Sequence, residues 1–393
     1  MLTDPMESHP ALGTHDASAL PLEQQVVRLQ ALLEASRAVH STIDLTRVLE
    51  QAARIAVLEL ELDGAFFTTP YTAYGKVDGP AKADHPVIPL LARDGKVLSE
   101  LVVIPAAGQE LSLYERDFLE GLALQTALAV ENAMHHQQHL EWARLEQDLD
   151  AARLIQQSLL PQKLPAIHGY SIAARSRTCY QVGGDYLDII SEAGGAQLMV
   201  IADVAGKGLA SALVCTTFRS AFRALARESR SLVELSERLS QQHWEEGMEA
   251  RRRYVTAIFL RLDTVRGELE IVNCGHNPAC LLEPGSGLAR EIGASGPPLG
   301  LLQSVRYAAE TVAIPPGGRL LLYTDGLTEV FCGDDEFGLE RLVAAFHSNA
   351  GNAESALDTL WSAIDTFACG APQQDDMTAI ALHRLTHPLE ELA

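Results

Sequence analysis

No cysteine occurs before Cys179, and the six present (Cys179, Cys215, Cys274, Cys280, Cys332 and Cys369) show no Cys-x-x-Cys spacing. That excludes a paired disulfide framework and leaves reduced thiols, most of them core filler. Long apolar runs are also missing: none approaches the roughly 18 to 20 residues of a membrane-spanning helix. The first basic residue is Arg28, so the chain starts without a secretory pattern, and a cytoplasmic protein is expected. Basic residues are scarce throughout, 30 Lys and Arg against 52 Asp and Glu, for a formal charge of −22. The deficit is no tail effect, since residues up to Asp150 carry 10 basic and 23 acidic groups and the remainder 20 and 29. A field of that sign repels phosphate backbones and anionic lipid, so nucleic acid and membrane are poor partners, whereas a carboxylate site for divalent cations suits it. Aromatics are only 6% of the 393 residues, yet 47% hydrophobic residues suffice for ordinary cores in two or three domains.

Residues 1–21 mix Pro, Ser, Thr, Gly and His without apolar periodicity and read as a frayed tail. Leu22, Val26, Leu29 and Leu33 fall at helical steps, predicting a helix to Val39. A second helix is expected after a Ser41-Thr42 cap, through Leu45, Val48, Leu49 and Ile55 to about Leu60. Strand-like pieces follow at Ala65–Thr69, Pro86–Leu91 and Val97–Ile104, the last two joined by a turn at Ala92-Arg93-Asp94-Gly95, and a long helix runs from Leu113 to about Leu159. This order, with LLEASRAVHSTIDLTRVLEQAARIA at its start and LSLYERDFLEGLALQTALAVENAMHH at its end, resembles a GAF sensor domain over residues 22–138. Only about 50 residues separate Leu62 from Leu111, which shortens the helices that wall such a domain's ligand pocket. The missing cysteines exclude a thioether-linked bilin, and Asn132 as the one asparagine before position 150 leaves the cyclic-nucleotide signature absent. In the connector, residues 139–165, Trp142, Leu145, Leu149, Ala152, Gln156 and Leu159 form a short heptad seam along which two chains could pair, or a face that packs on its own domain. Pro161 and Pro165 end the helix.

Beyond Pro165 strands are expected at Tyr170–Arg175, Tyr186–Ile190, Gln197–Ala202, Tyr254–Leu262, Glu268–Val272 and Arg319–Tyr323. Helices are expected at about 208–227, 230–248, 338–348 and 353–367, an α+β arrangement without βαβ regularity. Four aspartates stand where strands meet tight, mostly glycine-bearing turns: Asp185 in VGGDY, Asp203 in VIADVAGKG, Asp325 in LLYTDG and Asp375 in QQDDMT. An Asp in one such turn commonly caps it and nothing more. Four held at strand ends are costly unless a cation neutralises them, and an oxygen-only set selects Mg²⁺ or Mn²⁺ over zinc.

The runs IQQSLLPQKLP, QVGGDYLD, DVAGKGLASAL, RYVTAIF, NCGHNP, LLLYTDGLTE and QQDDMTAIAL together resemble, in order, the bacterial SpoIIE and RsbU branch of the PP2C-type serine/threonine phosphatases. The resemblance implies an α-β-β-α sandwich at residues 166–385, followed by a tail at 386–393. It also implies two Mn²⁺ or Mg²⁺ ions. Asp203 would bridge them, Asp325 and Asp375 would hold the first, and Asp185 with the Val204 carbonyl would serve the second, all four aspartates being catalytic. Water would then attack the phosphorus in line, without a phosphoenzyme. The implied substrate is phosphoserine or phosphothreonine on a STAS-domain anti-sigma factor antagonist, handled by a homodimer under sensor control.

Tyr180 and Ala205 stand where the plant and animal branch carries an arginine and a histidine, which leaves the phosphate anchor and proton donor unassigned. Arg175, Arg177 and Lys207 are anchor candidates or simply exposed basic residues. Asp188, on the opposite strand face from Asp185, is expected to be structural. Asp376 would point away from Asp375 yet could reach a weaker third ion. His276 is expected to satisfy backbone groups in a turn, and His135 with His139 lacks a third ligand. The rival readings are a catalytically silent scaffold, which offers no reason to keep a repulsive cluster, and a small-molecule phosphomonoesterase.

Overall fold

The computed structural model describes residues 22–77, 82, 84–192, 194–285, 289–349 and 351–386, so the expected tail at 1–21 lies outside the described residues, as does all but Thr386 of residues after Leu385. The chain divides into two compact units, Met1–Leu145 and Glu146–Ala393.

The first unit contains α1 (Leu22–Val39), α2 (Leu45–Glu59), β1 (Gly64–Thr68), β2 (Tyr71–Gly75), β3 (Val87–Leu91), β4 (Val97–Ile104) and the start of α3 (Leu113–Leu159). Its antiparallel sheet has the order β2-β1-β4-β3. The cap of α2 is Asp44 and not Ser41-Thr42: the Asp44 carboxylate accepts the Arg47 N–H at 2.9 Å, while the Thr42 hydroxyl accepts the Asp44 N–H. Val48, Leu49, Ala52, Ala53 and Ala56 of α2 are buried with Phe67, Leu101, Phe118 and Leu122. The stripe expected on α1 does not supply this core. Val26, Leu29 and Leu33 are exposed, and Ala35 and Val39 turn inward instead, because periodicity reveals a face without revealing its partner. Strand β2 was not anticipated; its alternation of Thr72 and Tyr74 with exposed neighbours is short and weakly apolar.

The second unit adds β5 (Tyr170–Arg177), β6 (Tyr186–Ser191), β7 (Gln197–Val204), α4 (Leu209–Leu225), α5 (Leu232–Glu245), α6 (Met248–Arg251), β8 (Val255–Asp263), β9 (Glu268–Cys274), β10 (Ala279–Leu282), β11 (Ala289–Ile292), β12 (Glu310–Ala313), β13 (Arg319–Tyr323), β14 (Phe331–Cys332), β15 (Asp335–Glu336), α7 (Gly338–Ser348), α8 (Ala353–Phe367) and β16 (Met377–Arg384). Two antiparallel five-stranded sheets result, β11-β10-β13-β16-β5 and β12-β9-β8-β7-β6. Side-chain parity explains the layering. On β7, Met199 and Ile201 join Ile258, Leu260, Ile380 and Leu382 between the sheets, whereas Leu198, Val200 and Ala202 pack with Phe218 and Phe222 of α4 and Leu235 of α5. On β16, Ala379 and Ala381 face Phe346 of α7 and Leu357 and Trp361 of α8. Strands covered on both faces read as continuous apolar runs, and the outcome is the expected α-β-β-α layering. Among the described residues, no helix is long and apolar enough to cross a membrane.

Asp188 lies inside the second unit, fully buried. It accepts Arg223 Nε and Nη2 at 2.6 and 2.9 Å, the Tyr186 hydroxyl at 2.6 Å and the Ile189 N–H at 2.9 Å. Loss of half this pairing strands a buried polar group, so Asp188→Asn is expected to cost about 2 kcal/mol, roughly 5 °C in Tm. Thermal unfolding checks this, with Mn²⁺ affinity expected to stay near that of the parent.

Candidate metal centre

The topology collects all four aspartates at one end of the sandwich. Asp185 immediately precedes β6 and Asp203 lies near the end of the antiparallel neighbour β7, where Tyr186 pairs with Ala202. Asp325 opens a 3-10 turn, Asp325–Leu327, just after β13, and Asp375 lies just before β16, where Tyr323 pairs with Ala379. Asp203 shares its strand parity with Met199 and Ile201 and therefore points between the sheets.

Polar clamps cross from one sheet to the other. The Thr324 hydroxyl donates to Asp185 Oδ2 at 2.9 Å and accepts the Thr378 N–H at 2.9 Å. Asp376 turns to other partners than Asp375: its carboxylate takes the N–H groups of Cys179 and Gly184, both at 2.7 Å, and so fixes the turn that carries Asp185. Glycine is required there, because a Cβ at Gly183 would come within 2.4 Å of Asp376 Oδ2, and one at Gly184 within 2.9 Å of the Val204 carbonyl oxygen and 3.5 Å of Asp203 Oδ1. The same proximity brings the Val204 carbonyl beside the Asp185 turn. Gln156, in the last turns of α3, closes the loop from outside; its amide donates to the Gly183 carbonyl at 2.7 Å and accepts the Gly183 N–H at 3.0 Å.

The electrostatics call for a cation. Burial, then the charges of Asp203 and Asp376, hold Asp185 well above the carboxylate range. Burial and the charges of Asp325, Asp375 and Asp376 push Asp203 up to about 7. Asp325 is raised by burial and by Asp375, and Asp376 by burial against the lowering effect of its N–H donors. Lys207 answers part of this charge: its ammonium lies 2.8 Å from Asp375 Oδ2, a contact that raises its own pKa. The donors are oxygens only, buried or half-buried and short of positive charge, and they fit Mg²⁺ or Mn²⁺. Among the described residues no three His, Cys, Asp or Glu side chains yet converge as a ligand set; Asp185 is turned to Thr324 and Asp375 to Lys207.

The remaining candidates separate cleanly. Arg175 is paired with Glu354 and Asp358, and Arg177 with Asp365, all on α8. His276 is buried, its Nδ1 against the Thr256 hydroxyl at 2.8 Å and its Nε2 donating to the Tyr323 carbonyl at 3.1 Å; burial lowers its pKa to about 4, so it stays neutral and structural. His135 and His139 belong to no such cluster. Thr324 and Gln156 escaped the sequence reading, although a threonine closing an apolar strand and a glutamine at a heptad core position were the available signals.

The sign of the Asp203 shift sets a pH dependence. Between the ordinary value of 3.8 and about 7 the folded chain holds a proton that the unfolded chain has lost, so this contribution to stability falls as pH rises through that window. A cation bound by the carboxylates reverses the trend, because it competes with that proton. Saturating Mn²⁺ is therefore expected to raise Tm more at about pH 8 than at about pH 5.5, as read by thermal melts, and equal shifts would contradict the assignment.

Comparison with known proteins agrees with this geometry. Residues 193–385 match the family model SpoIIE, Stage II sporulation protein E. The phosphoserine phosphatase RsbP of Bacillus subtilis is 32% identical over 133 residues, 33% of this chain and 33% of RsbP. The phosphoserine phosphatase RsbU of the same organism is 25% identical over 268 residues, 66% of this chain and 75% of RsbU. The chain spans less than half the length of the first curated relatives it matches. The SiaA-PP2C domain of Pseudomonas aeruginosa superposes with a TM-score of 0.55 at 20% identity, covering 62% of this chain and 98% of that domain, which shows a shared fold. The second unit thus carries a SpoIIE-family domain of PP2C-like fold, homologous to RsbU and RsbP.

Proposed function

We propose that this chain is a metal-dependent protein serine/threonine phosphatase that hydrolyses phosphoserine or phosphothreonine on a STAS-domain anti-sigma factor antagonist in the cytoplasm. One observation carries the reading: the buried carboxylate of Asp185 and the half-buried ones of Asp203 and Asp325 gather at one end of a PP2C-like sandwich, with raised pKa values and, among the described residues, no matching set of cations. A silent scaffold gains nothing from that repulsion. The names of RsbP and RsbU support a phosphoserine substrate.

Within this proposal Asp203 serves both ions, Asp325 and Asp375 one, and Asp185 with the Val204 carbonyl the other. Divalent ions would supply activation of water and compensation of charge on the phosphoryl group. The chain's own part is positional. Thr324, Asp376 and Gln156 hold the Asp185 turn by the hydrogen bonds described above, and the strand parity of β7 aims the half-buried Asp203 between the packed sheets. Asp203→Asn is expected to reduce turnover by about a hundredfold or more, with Asp325→Asn and Asp375→Asn also severe and chelator abolishing activity. Phosphate release from a phosphorylated STAS protein, compared with release from free phosphoserine, checks both the residues and the substrate class; equal mild losses at all positions would refute the site.

We also read the first unit as a GAF-like sensor and α3 as the element through which two chains pair. Trp142 and Leu145 are exposed as pairing would require. Ala152, Gln156 and Leu159, the later part of the seam, are half-buried, with Gln156 engaged by Gly183. Pairing therefore rests on the earlier part. Replacement of both Trp142 and Leu145 by Glu is expected to give monomers with unchanged catalytic-unit stability, as measured by light scattering and thermal melts, and a persistent dimer would refute the seam.

A further inference from the structure

Of the three basic residues that the sequence offers as phosphate anchors, Arg175 and Arg177 are committed to acids of α8. Lys207 is placed otherwise. It follows β7 between Gly206 and Gly208, both in the left-handed region at φ 99° and 76°, in a turn that puts its ammonium at the carboxylates. Its Nζ donates to the Gln374 carbonyl at 2.5 Å and lies 2.8 Å from Asp375 Oδ2, while the side chain remains 45% exposed. The ammonium thus sits on a carboxylate oxygen that a divalent ion would need. An ion pair so exposed is weak, and a divalent cation can displace it.

Charge balance says where the ammonium goes next. Two divalent ions would neutralise Asp185, Asp203, Asp325 and Asp375 and nothing more, whereas a phosphoryl group would bring about two further negative charges to a site that Asp376 and Glu329 already make negative. Lysine is a compact charge on a flexible stem, able to swing over a few ångströms without rebuilding its backbone. We propose that Lys207 alternates between two anionic partners: it neutralises Asp375 while the metal is absent, and it binds the phosphoryl oxygens of the substrate once a divalent ion has taken Asp375. The inference rests on the phosphatase reading.

The test uses the full chain, the Lys207→Met and Lys207→Arg variants, and two probes, Mn²⁺ alone followed by electron paramagnetic resonance of the free ion, then inorganic phosphate titrated calorimetrically into the Mn²⁺-saturated protein. Loss of the competing ammonium in Lys207→Met is expected to tighten Mn²⁺ binding by about two- to fivefold. Loss of a charge-assisted contact is expected to weaken phosphate binding by about tenfold or more, with Lys207→Arg close to the parent. Mn²⁺ affinity that is equal or weaker in Lys207→Met would overturn the placeholder role, and unchanged phosphate affinity would overturn the anchor. Neither measurement requires turnover. A parent chain that binds both probes yet releases no phosphate from any phosphoprotein would refute the phosphatase reading and leave the assignment of Lys207 to these binding data.

Discussion

Mutual repulsion among buried carboxylates is the constraint to which the second unit is built. Folding buries Asp185 and Asp376, half-buries Asp203 and Asp325, and brings carboxylates close enough to raise their neighbours' pKa. A loose framework would let them separate into solvent. Two sheets sharing an interior of Met199, Ile201, Ile258, Ile380 and Leu382 do not allow that, since any separation opens a packed core. Hydroxyl and N–H donors from both sheets then take up part of the charge, Lys207 takes up more, and the remainder is what a divalent cation would neutralise on the proposed reading.

The clamps also tie the carboxylate site to the end of α3. Gln156 spends both ends of its amide on Gly183, two residues before Asp185, while Arg219 Nε donates to the Leu159 carbonyl at 2.9 Å and Leu160 packs with the α4 and α5 core. The last turns of α3 are therefore part of the wall of the carboxylate site. Rotation or withdrawal of that helix end would break two hydrogen bonds to the turn that carries Asp185, and on the proposed reading this would link occupancy of the site to the position of α3.

Much of this was legible in the sequence because it depends on local chemistry. The long helix Leu113–Leu159, the strand Val97–Ile104 and the helices 338–348 and 353–367 have the observed bounds, each set by an unbroken pattern between clear turn signals. The four aspartates stood out because each lies where a strand meets a tight turn or a polar loop. What depends on partners was hidden. Strand β16, inside its sheet, was missed because Met377-Thr-Ala-Ile-Ala-Leu carries two alanines with little strand preference, and its extended form comes from neighbours β13 and β5. The exposed stripe on α1, the true cap at Asp44 and the inward turn of Asp376 are likewise matters of which surface meets which. Gln156 read as one position of the heptad seam and proved to be a tie to Gly183.

The central claim is that a deficit of positive charge at one end of the sandwich is the reason the site takes divalent cations. Crystals of the second unit grown with Mn²⁺, recorded at a wavelength that makes manganese an anomalous scatterer, test it most directly. The account predicts anomalous density in contact with Asp203 and with Asp325 or Asp185, and Lys207 withdrawn from Asp375. Anomalous density confined to surface sites, with Lys207 still on Asp375 and the carboxylates unchanged, would contradict it.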